Sequence, residues 1–511
     1  MRVTAVVFGL ALLLGGEKTV AQSSDDPISA IDWLTESLSE PVAMPGRQEP
    51  VTPGIVTETI SVQPLNAPSP DGVGLLPRSV TGLPANLWGS SDRESLIRAI
   101  ADFPVEPLPA VQDQFRRIML AELDPPAWSS PDAPLLQARI DALLARGAVE
   151  EAEALLERTS SQQPELFRRA FDVGLLTGRE QAACARMRAV PGISPSFPVR
   201  IFCLARTGDW PAAALTLESA EALGQLTPEE DALLAQFLDP ELSELLPPTA
   251  APSRPSPLTF RMLEAIGAPM PTTPLPLAFA HSDLRPTAGW KARVEAGERL
   301  ARAGALPPEV LIAIYGERRP AASGGVWDRV AAVQALNEAL EAQDAQAVRA
   351  ALPKAWERMA AAGLALPFAR ALAPEILALN EMNSDSLALR LGLLSDAYET
   401  VALDAASIPE ALTFASAIAA GRVEQVPQDA LSQAIAAAFS TPVPPLPPEL
   451  TAFLDEQRLG EALLSALKSL ASGADSDPSV LAGALAFLRA IGLEDTARRA
   501  ALQILLLERP V

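Results

Sequence analysis

The run LLARGAVEEAEALLE, residues 143–157, joins two apolar stripes of helical spacing at one glycine, with an alanine five residues beyond it. A glycine at that point lets the chain reverse between two antiparallel helices, because it enters left-handed backbone conformations without a steric penalty. The arrangement recurs. Gly147, Gly178 and Gly208 are separated by 31 and 30 residues, and each is followed five positions later by Ala152, Ala183 or Ala213. Nine positions after each glycine stands Leu156, Met187 or Leu217. The small residue is expected where the two helices cross closely, and the large one in the seam with the next unit. Before the first glycine run Leu136, Ile140, Leu143 and Leu144; before the second, Phe167, Phe171 and Leu175. Residues 134–224 are therefore expected to form three stacked helical hairpins.

The last unit, ARTGDWPAAALTLESA (Ala205–Ala220), resembles the tetratricopeptide-like family of helical repeats. Gly208-Asp209-Trp210 and Ala213 fall where that family places its turn and its small packing residue. The units here are shorter than the family's ~34 residues. The resemblance covers residues 134–224, under a fifth of the chain, and implies an α-solenoid that binds proteins or peptides rather than an enzyme.

Composition points the same way. Hydrophobic residues make up 49% of the 511 and aromatics only 5%, so the core is rich in Leu and Ala, which suits helices better than sheets. Proline occurs 49 times, about twice the usual ~5%, and reads as punctuation between segments. The expected division is a signal peptide at 1–21, then a largely disordered, Pro-rich tail at 22–85. The tail contains a short amphipathic helix (Ile28, Ile31, Leu34 and Leu38, with Trp33 beside them) and a weakly alternating stretch, ETISVQPL, at 58–65. A first helical-repeat domain follows at 86–245, opening on a capping-box spacing between Ser91 and Glu94. A Pro-rich connector spans 246–289 with a short helix at Leu258–Ile266, a second helical domain spans 290–440, and C-terminal hairpins fill 441–511. In the last of these, Gly492 and Ala497 repeat the glycine–alanine relation. The fold class is all-α: an α-solenoid of stacked antiparallel helical hairpins with Pro-rich breaks.

Arg2, the uncharged apolar stretch within Val3–Gly16 and the small residues Thr19-Val20-Ala21 read as an export signal cleaved before Gln22. Cleavage removes Arg2, Lys18 and Glu17, so the charge goes from 40 − 63 = −23 to 38 − 62 = −24. So acidic a chain repels phosphate backbones, which argues against nucleic acid as a partner. No other run approaches the ~20 apolar residues of a membrane span, so no integral membrane segment is expected after cleavage. The sequence has no Asn-x-Ser/Thr acceptor, which suits a bacterial periplasm. In that oxidising compartment Cys184 and Cys203, the only cysteines, are expected to pair. They lie 193 − 184 = 9 and 203 − 193 = 10 positions from the middle of the connector Val190–Ser196 and so are expected at similar heights on adjacent antiparallel helices; the alternative is two buried free thiols.

The chemistry-bearing motifs are few. His281 is the only histidine, which rules out HExxH zinc chemistry, and no GxSxG elbow exists. Ser323-Gly324-Gly325 precedes a helix, where free backbone N–H groups suit an anion, but it matches neither GxGxxG nor the P-loop. His281, Asp283 and Arg285 on one loop and Arg318, Arg319 and Arg329 on another form a ligand site if the two loops meet; the competing reading is a set of internal salt bridges. No catalytic residue, metal or cofactor is assigned. The expected function is that of an exported scaffold for an unidentified protein or peptide partner in the periplasm. The competing reading is a cell-wall (peptidoglycan) enzyme or accessory with its site around residues 281–329.

Overall fold

The computed structural model describes residues 69–507, apart from 160–162, 195, 240, 242–251, 406 and 424. The expected signal peptide, the amphipathic run at 28–38 and the stretch at 58–65 lie outside the described residues. So does residue 246–251 of the Pro-rich connector.

Among the described residues there are twenty-five α-helices and six short 3₁₀ turns; the one β feature is an isolated parallel bridge between Leu76 and Ala121. The three hairpins expected at 134–224 are present. Pro134–Ala145 packs on Val149–Arg158, Pro164–Thr177 on Glu180–Ala189, and Phe197–Arg206 on Trp210–Ala222. Gly147, Gly178 and Gly208 turn the chain at φ +73°, +77° and +86°. Ala152 and Ala213 are wholly buried in the crossings, Leu156 and Met187 are buried, and Ala183 and Leu217 are half-buried against the core. Each hairpin also packs on the next through its neighbouring helices. The pairing continues downstream with Val326–Glu341 on Ala345–Ala361, Ala365–Ala378 on Ser386–Leu394, and Pro478–Ala490 on Glu494–Leu506. In the first of these later turns Gln343 adopts the positive φ (+54°) that glycine supplies elsewhere.

Two local details differ from the sequence reading. The cap of the Arg93–Ala101 helix is Asp92, whose Oδ1 accepts from the Ser95 N–H at 3.1 Å; Ser91 lies one residue too early and is buried. Pro257 and Pro448, which fall in Pro-rich breaks, are the first residues of helices, as are Pro109, Pro134, Pro164, Pro228, Pro308 and Pro478. The first helical N–H has no intrahelical acceptor, so proline loses nothing there and its fixed φ favours the turn.

The two ends of the described chain meet. Pro109–Leu120 packs not only on Pro134–Ala145 but on Leu459–Leu470 and Glu494–Leu506. The Leu108 N–H donates to the Ala471 carbonyl at 2.8 Å and the Ala110 N–H to Gln503 Oε1 at 2.7 Å. The Gly460 N–H donates to the Leu87 carbonyl at 2.9 Å, over the buried Trp88 ring. Residues 69–85, which composition places in the tail, belong to this closed body: Leu76 and Ala121 bridge, and Leu83 is buried. In an open solenoid each repeat touches only its sequence neighbours. Here the first and last helices share one core.

Candidate functional site

His281 lies in the four-residue helix Ala280–Asp283 and is buried, with Nε2 2.7 Å from the Gly147 carbonyl. A carbonyl only accepts, so Nε2 carries the proton. The lone histidine therefore anchors the first hairpin turn to the connector. Burial lowers its pKa below 6.5, with Arg179 adding to the effect and the Gly147 carbonyl and Glu150 opposing it. Because the folded pKa is depressed, the unfolded chain binds the extra proton more readily. The neutral ring's contribution is complete above about pH 6.5 and is lost as the pH falls through the folded value. Asp172, raised to about 6 by burial against the pull of Arg168 and Arg169, titrates nearby with the opposite sign. The measurement is thus a difference: wild type should lose stability relative to His281→Gln between about pH 7 and pH 5. Parallel urea midpoints across that range would show the ring not to be the source.

Asp283 is partly buried and accepts from the Thr272 hydroxyl; burial raises its pKa against Thr272, Arg299 and Arg285. Arg285 Nη2 reaches both oxygens of Glu264, at 2.8 and 2.9 Å. It ends a ladder that runs from Arg206 to Glu180 (2.9 Å), Glu180 to Arg261 (3.2 Å), and Arg261 to Glu264. The ladder ties the second and third hairpins to the Pro257–Ala265 helix. Burial opposes ionisation of Glu264, but Arg285 and Arg261 outweigh it and lower its pKa.

The other three arginines face elsewhere. Arg329 donates from Nε and Nη2 to the two oxygens of the buried Glu298, at 2.9 and 2.5 Å, and the Tyr315 hydroxyl donates to the same carboxylate at 2.7 Å. Arg319 pairs with Glu338 at 2.7 Å on the surface. Arg318 is exposed, and its carbonyl accepts from Gln334 at 2.7 Å. Among the described residues no hydrogen bond or ion pair joins His281, Asp283 or Arg285 to Arg318, Arg319 or Arg329. At Ser323-Gly324-Gly325 the Gly324 N–H is taken by Asp328 Oδ1 at 2.9 Å, and Trp327 packs on Trp290 with ring centroids 4.9 Å apart.

Two features escape a reading of the sequence. One is Arg139, whose guanidinium is fully buried with no carboxylate on it. Its Nε donates to the Met119 carbonyl (2.8 Å), Nη1 to those of Asp71 (3.2 Å) and Val73 (2.7 Å), and Nη2 to that of Ala121 (2.9 Å). Burial draws its pKa down to about 10, with the Asp71 charge opposing, so it stays charged at neutral pH. The other is a groove of about 160 Å³ between Glu180–Ala189 and Phe197–Arg206. Cys184 and Cys203 form a disulfide there, with Cα atoms 5.1 Å apart. Met187, Pro191 and Leu204 line the groove beside it, together with Arg188 and Arg200. Arg188 is exposed, and Arg200 reaches the Pro191 carbonyl at 3.3 Å.

Among the described residues no group of three or more His, Cys, Asp or Glu side chains is placed to hold a metal ion, and no helix is long and apolar enough to cross a membrane. Compared with family models, curated proteins and solved structures, the chain matches none of them.

Proposed function

We propose that this chain is an exported protein of tetratricopeptide-like helical hairpins that binds a protein or peptide partner in the bacterial periplasm. The observation that carries the reading is the Cys184–Cys203 disulfide, which clamps the boundary between the second and third hairpins. Such a bond persists in oxidising compartments and is reduced in the cytosol, and it fits the export signal read at residues 1–21. The left-handed turn glycines and the buried Ala152 and Ala213 support the repeat resemblance. Arg285 and Arg329 are each engaged by a part-buried or buried carboxylate and Arg319 by Glu338 on the surface, which favours a scaffold over a reactive site at 281–329.

The test is expression of the full chain with recovery from the bacterial envelope. The mature protein should begin at Gln22 and resist alkylation at both cysteines under denaturing, non-reducing conditions. A chain starting at Met1 with two reactive thiols overturns the export reading. Incubation with purified peptidoglycan addresses the competing class: release of soluble muropeptides by the purified mature chain would replace the scaffold reading with an enzymatic one.

A further inference from the structure

We propose that the groove beside the disulfide is occupied in cis by the chain's own acidic segment, residues 25–40, with Trp33 as the anchor. The groove has room for one aromatic ring, since a cavity of roughly 150 Å³ accommodates benzene. Trp33 is the only aromatic residue between positions 22 and 68. The groove's lining is mostly apolar and none of its eight residues is acidic. Arg188 and Arg200 stand beside it, and among the described residues neither is paired with a carboxylate. The segment is complementary: it carries Asp25, Asp26, Asp32, Glu36 and Glu40, and no Lys or Arg lies between residues 22 and 46. Asp32 is adjacent to Trp33, which places an anion next to the aromatic anchor, as the groove places guanidiniums next to its apolar walls. The rest of the chain carries −23 + 5 = −18, which on average opposes the binding of so acidic a segment.

The reach is adequate. Ser69 lies against Ser129, close to the start of Pro134–Ala145, and the groove is three helices further on. At about 10 Å per helix spacing that is on the order of 30 Å. The connecting residues 41–68 number 68 − 40 = 28, and a chain of that length can span up to roughly 90 Å at ~3.3 Å per residue, so the groove is within reach. Tethering within reach makes the contact intramolecular and raises the local concentration of the segment above that of a free peptide. Docking in cis requires neither export nor a partner, so it stands apart from the partner-binding reading.

The test uses the full mature chain with a photoreactive benzoylphenylalanine in place of Trp33, and mass spectrometry of the cross-linked peptides. Cross-links are expected within one molecule and to residues 184–207. Arg188→Glu with Arg200→Glu should lower their yield about tenfold, as expected when two charge-assisted contacts are reversed, while the circular dichroism and thermal midpoint stay unchanged. Should that variant misfold, Asp32→Lys with Glu36→Lys gives the same expected loss without touching the groove. Cross-links elsewhere on the body or between two copies, or a yield indifferent to both charge reversals, overturn the proposal.

Discussion

Replacing Arg139 with methionine is expected to destabilise the chain by about 4 kcal/mol, read as a shift in urea unfolding followed by circular dichroism. Methionine fills much of the space but supplies no donor. The carbonyls of Met119, Asp71, Val73 and Ala121 would then be buried with a partner removed, and each such group costs about 1–3 kcal/mol when left unsatisfied. Some would relax toward water, which is why the total falls below the sum. Arg139→Lys should rescue little, because an ammonium cannot direct donors along the three directions that the planar guanidinium spans. A loss under about 1 kcal/mol for the methionine variant would mean that the backbone at 71–73 and 119–121 re-pairs without the fork.

Gly147→Ala is expected to cost about 3–4 kcal/mol, the sum of a left-handed backbone penalty and overpacking. The residue sits at φ +73°, and a Cβ there would stand 2.8 Å from Leu277 Cγ and 3.0 Å from Leu300 Cδ2. Its carbonyl also holds His281, so any shift that relieves the clash disturbs that bond. Gly208→Ala is the control: φ is +86° but no heavy atom lies within 4 Å of the added carbon. Only the backbone penalty of about 1–2 kcal/mol should remain. Equal losses at the two positions would show that the contact with Leu277 and Leu300 yields freely.

The contrast between these two glycines marks the boundary of what the sequence discloses. That Gly147 and Gly208 turn hairpins is written locally, in stripes that reverse at each of them. That one turn is open and the other is wedged against Leu277 depends on a segment 130 residues away (277 − 147 = 130), and no periodicity encodes it. Pairing of the two cysteines was legible because there were only two and the connector falls nearly midway between them. The partners of Arg285 and Arg329 were not, since 63 acids offer many candidates and only the fold selects Glu264 and Glu298. Arg139 was less legible still: its acceptors are backbone carbonyls, which every residue owns. Proline misled in a different way. The same residue ends one helix and opens the next, and the run LLPPTAAPSRPSP gives way directly to a helix begun by Pro257.

The meeting of the two ends sets an order of events in time. The helix Pro109–Leu120 presents Phe115, Ile118 and Met119 to a core completed by Leu459–Leu470 and Glu494–Leu506. Those helices leave the ribosome at least 459 − 120 = 339 residues later. At 5–20 residues per second the delay is on the order of half a minute. Throughout that interval Pro134–Ala145 can pack on the early helix, but the part of its apolar surface that the two late helices cover stays open. A helix made early is thus among the last to be finished, and a chain cut short near its end leaves that helix only partly covered.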